Sequence, residues 1–436
     1  MFYFTIILVL SPIFFLVSNG QNEDASDDFY ITDEDITSIG LIWSYKRPDN
    51  GPEGNSTSWK LRWSPDGTMI AVVYFDDVAI IFDSKTGDVI KILGSGTKKI
   101  LDIINKDDNS TTRRVSEFDL TTRCWGYTTD PLAPLLRACA WSPDNKYLAV
   151  AGDHRLIQIY NTSTWKKEME LDGHKGSILS LDWSPNGKYL ASGEGTDQVL
   201  PHNQADCEYA INIWDIFEKK VIFTLKGHED SIVSLSWSKN GTRLVSASDD
   251  RNLKMWDTNN GSLLFTMGEG IGHSAGVLDV SWSPNQTLLV SGSRDFKVRR
   301  WYADTGLPLG KPLKDFNCVR STQWHPSGRY ILTSGVDQYI RILNGTTGSL
   351  IIEFDDATNT NSEVMSARWS PDGTKFASCS TVDATVRLYG IGYEENKDSD
   401  EDTGWVLGIP IFFIIAGIGI FIIYFTLSKE LRQHRK

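Results

Sequence analysis

Between residues 39 and 390 the chain is written in short alternations of apolar and polar positions. Runs such as Ile178-Leu179-Ser180-Leu181-Asp182-Trp183 and Ile232-Val233-Ser234-Leu235-Ser236-Trp237 put an apolar side chain at every second place, the period of a strand. Each run stops at a tryptophan and a turn, Ser-Pro-Asn-Gly after Trp183 and Ser-Lys-Asn-Gly after Trp237, where Asn and Gly tolerate positive φ and Pro fixes φ. After Trp183 a second strand (189–192), a third (211–214) and a fourth (221–225) follow. The pattern predicts one four-stranded antiparallel sheet per unit.

The unit recurs. Related strings begin at Trp63, Trp141, Trp183, Trp237, Trp282, Trp324 and Trp369, separated by 78, 42, 54, 45, 42 and 45 residues, so the period is 42 to 45 with two insertions. A large apolar residue closes the third strand 19 positions after five of these tryptophans, at Phe82, Tyr160, Trp256, Trp301 and Leu343. It stands 20 positions on at Tyr389, and 31 on at Trp214 because of an insertion. One such sheet cannot bury both of its faces, so seven are expected to pack face to face around an axis. The last unit supplies three strands, and 39–44, ahead of the first, has strand character and no other partner. It is expected to complete the seventh sheet and close the ring.

These residues resemble the WD40 repeat family over roughly 39–390. Trp214-Asp215 and Trp256-Asp257 are the Trp-Asp pair, and Gly173-His174, Gly227-His228 and Gly272-His273 are the Gly-His pair, each His nine residues before its motif Trp. The resemblance implies a hydrogen-bonded chain within the sheet: His174, Ser192 and Trp214; His228, Ser246, Asp250 and Trp256; His273, Ser291, Asp295 and Trp301. Glu208 stands where the third repeat should have its Asp. Repeats one, six and seven lack the His and are expected to be held by packing alone. The implied fold is an all-β, seven-bladed propeller, and the implied role is non-enzymatic binding of a protein or peptide.

The two ends read differently. Residues 1–20 carry an uncharged apolar run followed by Ser-Asn-Gly, which reads as a secretory signal peptide cleaved before Gln21, with an uncleaved anchor as the alternative. Residues 405–427 are 23 positions without a charge, enough for one transmembrane helix, and are followed by a basic tail, 428–436. Acidic linkers occupy 21–38 and 391–404. By the positive-inside rule the expected protein is a single-pass type I membrane protein, with the propeller extracellular or luminal and the tail cytoplasmic.

Composition adds exclusions. The formal charge is −13 and the pI is near 5.1, with no basic run, so nucleic acid is not an expected partner. Residues 21–40 carry −7, 391–404 carry −5 and the tail +3, which leaves the propeller near neutrality. No His or Cys spacing suits a metal, no cofactor motif stands out, and Gly272-His273-Ser274-Ala275-Gly276 lies before a strand, where a nucleophile elbow needs a helix. No catalytic residue is expected. A hydrolase or lyase working in the central channel is the competing reading; it would need two or more carboxylates or a metal converging on the axis, and the sequence shows no such constellation. The insertions, about 94–133 and 194–209, are expected on one face. Arg123, Trp125, Tyr127 and His202 are the candidate partner contacts, because aromatic and Arg side chains dominate interface energetics. Cys124 and Cys207, the cysteines of the two insertions, are expected to form a disulfide in an oxidising compartment. Cys139, Cys318 and Cys379 are expected as buried strand thiols.

Overall fold

A computed structural model describes residues 38–47, 57–75, 77–94, 135–196, 207–268, 270–313, 317–356, 362–381 and 384–392. All belong to one unit, Met1–Glu395; the second, Asn396–Lys436, lies outside the described residues, as do the stretches expected to be a signal peptide and a transmembrane helix. Among the described residues no helix is long and apolar enough to cross a membrane.

Seven antiparallel sheets form a propeller. Their inner strands are Ser58–Trp63, Leu136–Trp141, Ser177–Trp183, Ile232–Trp237, Val277–Trp282, Val319–Trp324 and Val364–Trp369, one for each of blades one to seven. The ring closes as the strand count requires. Ile39–Lys46 pairs antiparallel with Thr385–Ile391 as the outer strand of blade seven, and the Gly392 N–H donates to the Ser38 carbonyl at 2.7 Å. First and last strands of the propeller therefore share a sheet, and both ends leave from the face that carries the motif turns, here the underside.

Blade five departs from four strands. Its outer edge is reduced to two isolated bridges, Val298 with Leu313 and Trp301 with Pro308. The segment contains Pro308 and Pro312, which have no N–H to give to a ladder.

The inner strands also correct the simple alternation. In all seven blades the register slips at one place, five to three residues before the motif tryptophan. A bulge there shifts the phase of the side chains. In blade three the core therefore takes Ile178, Leu181 and Trp183, while Leu179, which a strict two-residue period would bury, is half-buried. The bulged residues are Trp59, Arg137, Leu179, Val233, Leu278, Arg320 and Met365, each near the upper end of its inner strand.

Five of the seven motif tryptophans do more than fill a wedge. Indole N–H groups donate to the backbone carbonyl just before the motif tryptophan of the preceding blade: Trp63 to Arg368 (3.0 Å), Trp141 to Arg62 (3.2 Å), Trp183 to Ala140 (3.1 Å), Trp237 to Asp182 (3.1 Å) and Trp282 to Ser236 (3.0 Å). A buried indole needs such an acceptor. Trp324 Nε1 and Trp369 Nε1 are buried without one. Trp282→Phe is therefore expected to cost about 1 kcal/mol in urea unfolding, whereas Trp324→Phe, which loses no bond, should cost less than that.

Candidate functional site

In blade four the His228 Nδ1–H donates to Asp250 at 2.6 Å, Ser246 Oγ lies 2.7 Å from His228 Nε2, and the Trp256 indole N–H donates to Ser246 Oγ at 2.9 Å. The carboxylate accepts at Nδ1, so Nε2 is free to accept from the serine. Blade five repeats this with His273, Asp295, Ser291 and Trp301 at 2.8 to 3.0 Å. Burial presses the Asp295 carboxyl upward, but the His273 hydrogen bond and charge outweigh it and bring it to about 2.

Blade three breaks the pattern. His174 reaches Ser192 at 2.5 Å and Trp214 donates to Ser192 at 2.7 Å, but Glu208 does not take the place of the Asp. It turns outward to Lys175 and Lys226, each at 2.6 Å, whose hydrogen bonds and charge hold it at about 2. Glu194 instead accepts the backbone N–H groups of Lys175, Gly176, Glu208 and Ala210. His174 Nδ1 is left with the Asn212 amide at 3.5 Å, beside a small cavity of about 130 Å³. With no carboxylate against it, burial pushes His174 down to about 4. Between pH 6.5 and 4 the unfolded chain binds a proton there that the folded chain refuses, so stability falls as the pH falls through that window. Urea midpoints at pH 7 and 4.5 should differ, and His174→Gln should reduce the difference.

Blade seven corrects the expectation of packing alone. Asp356 accepts from Ser378 Oγ at 2.8 Å and from the Tyr389 hydroxyl at 2.6 Å, and Arg387 lies 3.7 Å from its other oxygen. Serine keeps its strand-two place, tyrosine replaces tryptophan, and a carboxylate reaches the serine directly without an imidazole between. Blade one has the apolar pair Val72 and Phe82 at the two positions, both fully buried.

The channel holds charges that the motif reading overlooked. Lys60 crosses from blade one to donate to the carbonyls of Leu179 (2.8 Å, blade three) and Val233 (2.7 Å, blade four), past the small Ala138 and Ala140 of blade two. Arg368 crosses from blade seven to Asp279 of blade five at 2.7 Å. Asp279 also accepts from Ser234 Oγ and the Thr322 N–H, each at 2.8 Å. Burial presses Asp279 upward, and Arg368 and Arg62 overcome it and hold the carboxyl low. Asp182 accepts the Trp237 N–H at 2.7 Å, and burial raises it to about 6. Carboxylates thus do converge on the axis, contrary to the sequence expectation, but both are engaged in holding blades together.

Above this plug lies an aromatic and cationic patch. Trp59 and Phe75 rings are 4.7 Å apart, and the Arg137 guanidinium sits 4.9 Å from Phe75 and 5.4 Å from Trp59 while its Nε donates to Asp153 at 3.2 Å. Ion pairs bind neighbouring blades around this face: His154 with Asp77 (3.2 Å), Arg294 with Asp249 (3.1 Å) and Arg320 with Glu363 (2.9 Å). The Asp77 hydrogen bond raises the pKa of His154.

Of the expected contacts, Arg123, Trp125, Tyr127 and His202 lie outside the described residues, and so does Cys124, the expected partner of Cys207. The insertions join the fourth strand of blade one to blade two, and the second to the third strand of blade three; their described attachment points, Gly94 and Leu135, Thr196 and Cys207, are at the upper face. Cys139 and Cys379 are buried in strands, with burial raising their thiols to about 11 and about 12; Cys318 is half-buried and precedes its strand rather than lying in it. Aligning the seven motifs and reading one and three positions back would have exposed Lys60, Arg62, Asp182, Asp279 and Arg368, the charged residues among those fourteen places.

Comparison with known proteins agrees with the geometry. The family described as WD domain, G-beta repeat matches residues 129–161, 165–200, 219–257, 261–302, 310–344 and 348–390, and the anaphase-promoting complex subunit 4 WD40 domain matches 37–108. The chain is 33% identical over 264 residues to anaphase-promoting complex subunit cdh1 of Dictyostelium discoideum, covering 58% of this chain and 31% of that protein. It is 28% identical over 148 residues to subunit cdc20 of the same organism, covering 32% and 27%. Against Protein HIR1 of Cryptococcus neoformans it is 27% identical over 278 residues, covering 59% and 26%. It thus spans under a third of the length of these curated relatives. With repeat matches over more than half of its length, this chain belongs to the WD40 repeat family.

Proposed function

We propose that this protein is a non-enzymatic scaffold that holds a protein or peptide partner on the upper face of its propeller, displayed on the extracytoplasmic side of a membrane by residues 405–427. The observation that carries the reading is the half-buried Trp59 and Phe75 pair against Arg137 near the upper ends of the strands, a combination that anchors interfaces well. Both described ends of the propeller, Ser38 and Gly392, leave from the underside. Arg123, Trp125, Tyr127 and His202 would extend the contact from insertions attached to the same face. Two relatives are named as subunits of a multiprotein complex, which agrees with a scaffold role.

The test compares partners captured by the full-length protein, by Phe75→Glu and by a form lacking residues 94–133. Loss of a shared partner from both variants is expected, and identical partner sets in all three would overturn the binding face. Protease treatment of sealed vesicles checks the topology: a C-terminal tag should be digested and the propeller spared.

A further inference from the structure

In the motif turns the third residue after the tryptophan works through a single oxygen. Asp66 Oδ1 accepts from the Ser64 hydroxyl and from the Thr68 N–H and hydroxyl, and Asp144 and Asp372 accept in the same way within their own turns. In blade four the residue is Asn240. Its Oδ1 accepts from the Ser238 hydroxyl at 2.8 Å and from the Thr242 N–H and hydroxyl at 3.1 and 2.9 Å. Aspartate does this work in three other blades, so the turn has no need of the Asn240 Nδ2 amide. Asn240 is exposed, and its Nδ2 makes no hydrogen bond to a described residue.

Asn240-Gly241-Thr242 is also an Asn-x-Thr sequon, the acceptor sequence for an N-linked glycan. Among the described residues further sequons begin at Asn161, Asn260, Asn285 and Asn344. Asn161 Nδ2 donates to Glu168 at 2.7 Å, and Asn344 is half-buried. Asn240 is set apart by its surroundings, because it borders a groove of about 580 Å³ between blades three and four. Half-buried Tyr189, Ile222 and Phe223 give the groove apolar walls, and Asn186, Thr258 and Asn259 give it amides and a hydroxyl. A sugar ring, apolar across its C–H face and polar around its rim, suits such a lining. Between blades four and five the corresponding gap is crossed by an ion pair. Arg243, at the repeat position of Tyr189, meets Asp304, at that of Asn259, at 2.7 Å. Asn285 occupies the same turn as Asn240 and is also exposed, but in its blade the ion pair stands where Asn240 has the groove.

We propose that Asn240 carries an N-linked glycan whose first sugar lies in the groove between blades three and four. The inference rests on the extracytoplasmic reading, because the donor, a lipid pyrophosphate-linked oligosaccharide, is met on that side of the membrane. Nδ2 bonds to the anomeric carbon and the bond from that carbon to the pyrophosphate breaks. The lipid pyrophosphate leaves, and one amide proton passes to a base of the transferase. The fold accommodates the product because the turn keeps its Oδ1 acceptor.

The test treats full-length protein from a eukaryotic host with peptide N-glycosidase in heavy-oxygen water, which turns a glycosylated Asn into labelled Asp. Mass spectrometry of the peptides should find the label at residue 240. Unlabelled Asn240 in a propeller that protease spares in sealed vesicles would overturn the site and leave the topology standing. Unlabelled Asn240 in a propeller that protease digests would overturn both. Stability reads the seating in the groove. Asn240→Asp removes the sugar and keeps the turn acceptor, and it should lower the thermal midpoint by about 2 °C, whereas Asn285→Asp should leave it unchanged. Native and Asn240→Asp proteins from tunicamycin-treated cells should coincide. Equal midpoints of the glycosylated native protein and Asn240→Asp would overturn the seating, as would an equal loss in Asn285→Asp or a loss that persists under tunicamycin.

Discussion

Asp279→Ala is expected to lower the unfolding free energy by about 3–5 kcal/mol, the largest effect of any polar substitution in the ring. The loss exceeds that of one surface ion pair because Asp279 is 3% exposed and gathers Arg368 from blade seven, Ser234 from blade four and the Thr322 N–H from blade six. Removing the carboxylate leaves a buried guanidinium without its counter-charge and two further donors unpaired. Arg368→Met should be damaging for the mirror reason. Combined with Asp279→Leu it should recover most of the loss, since replacing both members removes the desolvation cost together with the attraction. Urea unfolding of the two single variants and the double variant measures this, and strict additivity of the two losses would show that the pair does not act as a unit.

Asp250→Ala is expected to cost about 2–3 kcal/mol, while Glu208→Ala should leave the urea midpoint nearly unchanged. By repeat position the two residues correspond. Asp250 accepts the His228 Nδ1–H and the Glu229 N–H and fixes the tautomer that lets Ser246 and Trp256 complete their chain. Glu208 meets two lysines whose side chains are about 60% exposed, where solvent screening leaves little net stabilisation. Equal losses in the two variants would mean that Glu208 does support His174.

Much of this was legible in the sequence because it depends on spacing. His228 to Ser246 and His273 to Ser291 are each 18 residues, and a constant spacing in a repeated sheet means a constant place in it. Strand closure could be counted in the same way, since a blade short of one strand needs one from elsewhere. The channel could not be read from one repeat. Lys60, Arg62, Asp182, Asp279 and Arg368 come from four blades, and each looks like an ordinary polar position of an alternating strand until the blades are set around one axis. The bulge was hidden for a related reason: Leu179 and Ile178 are both apolar, and local alternation favours the one that the packed blade excludes.

Periodicity determined the number of blades and the closing strand by simple counting, and the WD40 resemblance implied the three serine-centred chains, which arise within a blade. Tertiary structure alone decided the remaining polar partners: Asp356 with Ser378 and Tyr389 in blade seven and, across blades, Arg368 with Asp279, Lys60 with the carbonyls of Leu179 and Val233, and the indoles with preceding backbones. The physical reason is that a local pattern specifies which face a side chain takes, whereas a hydrogen bond or ion pair depends on what the neighbouring blade places within about 3 Å of it.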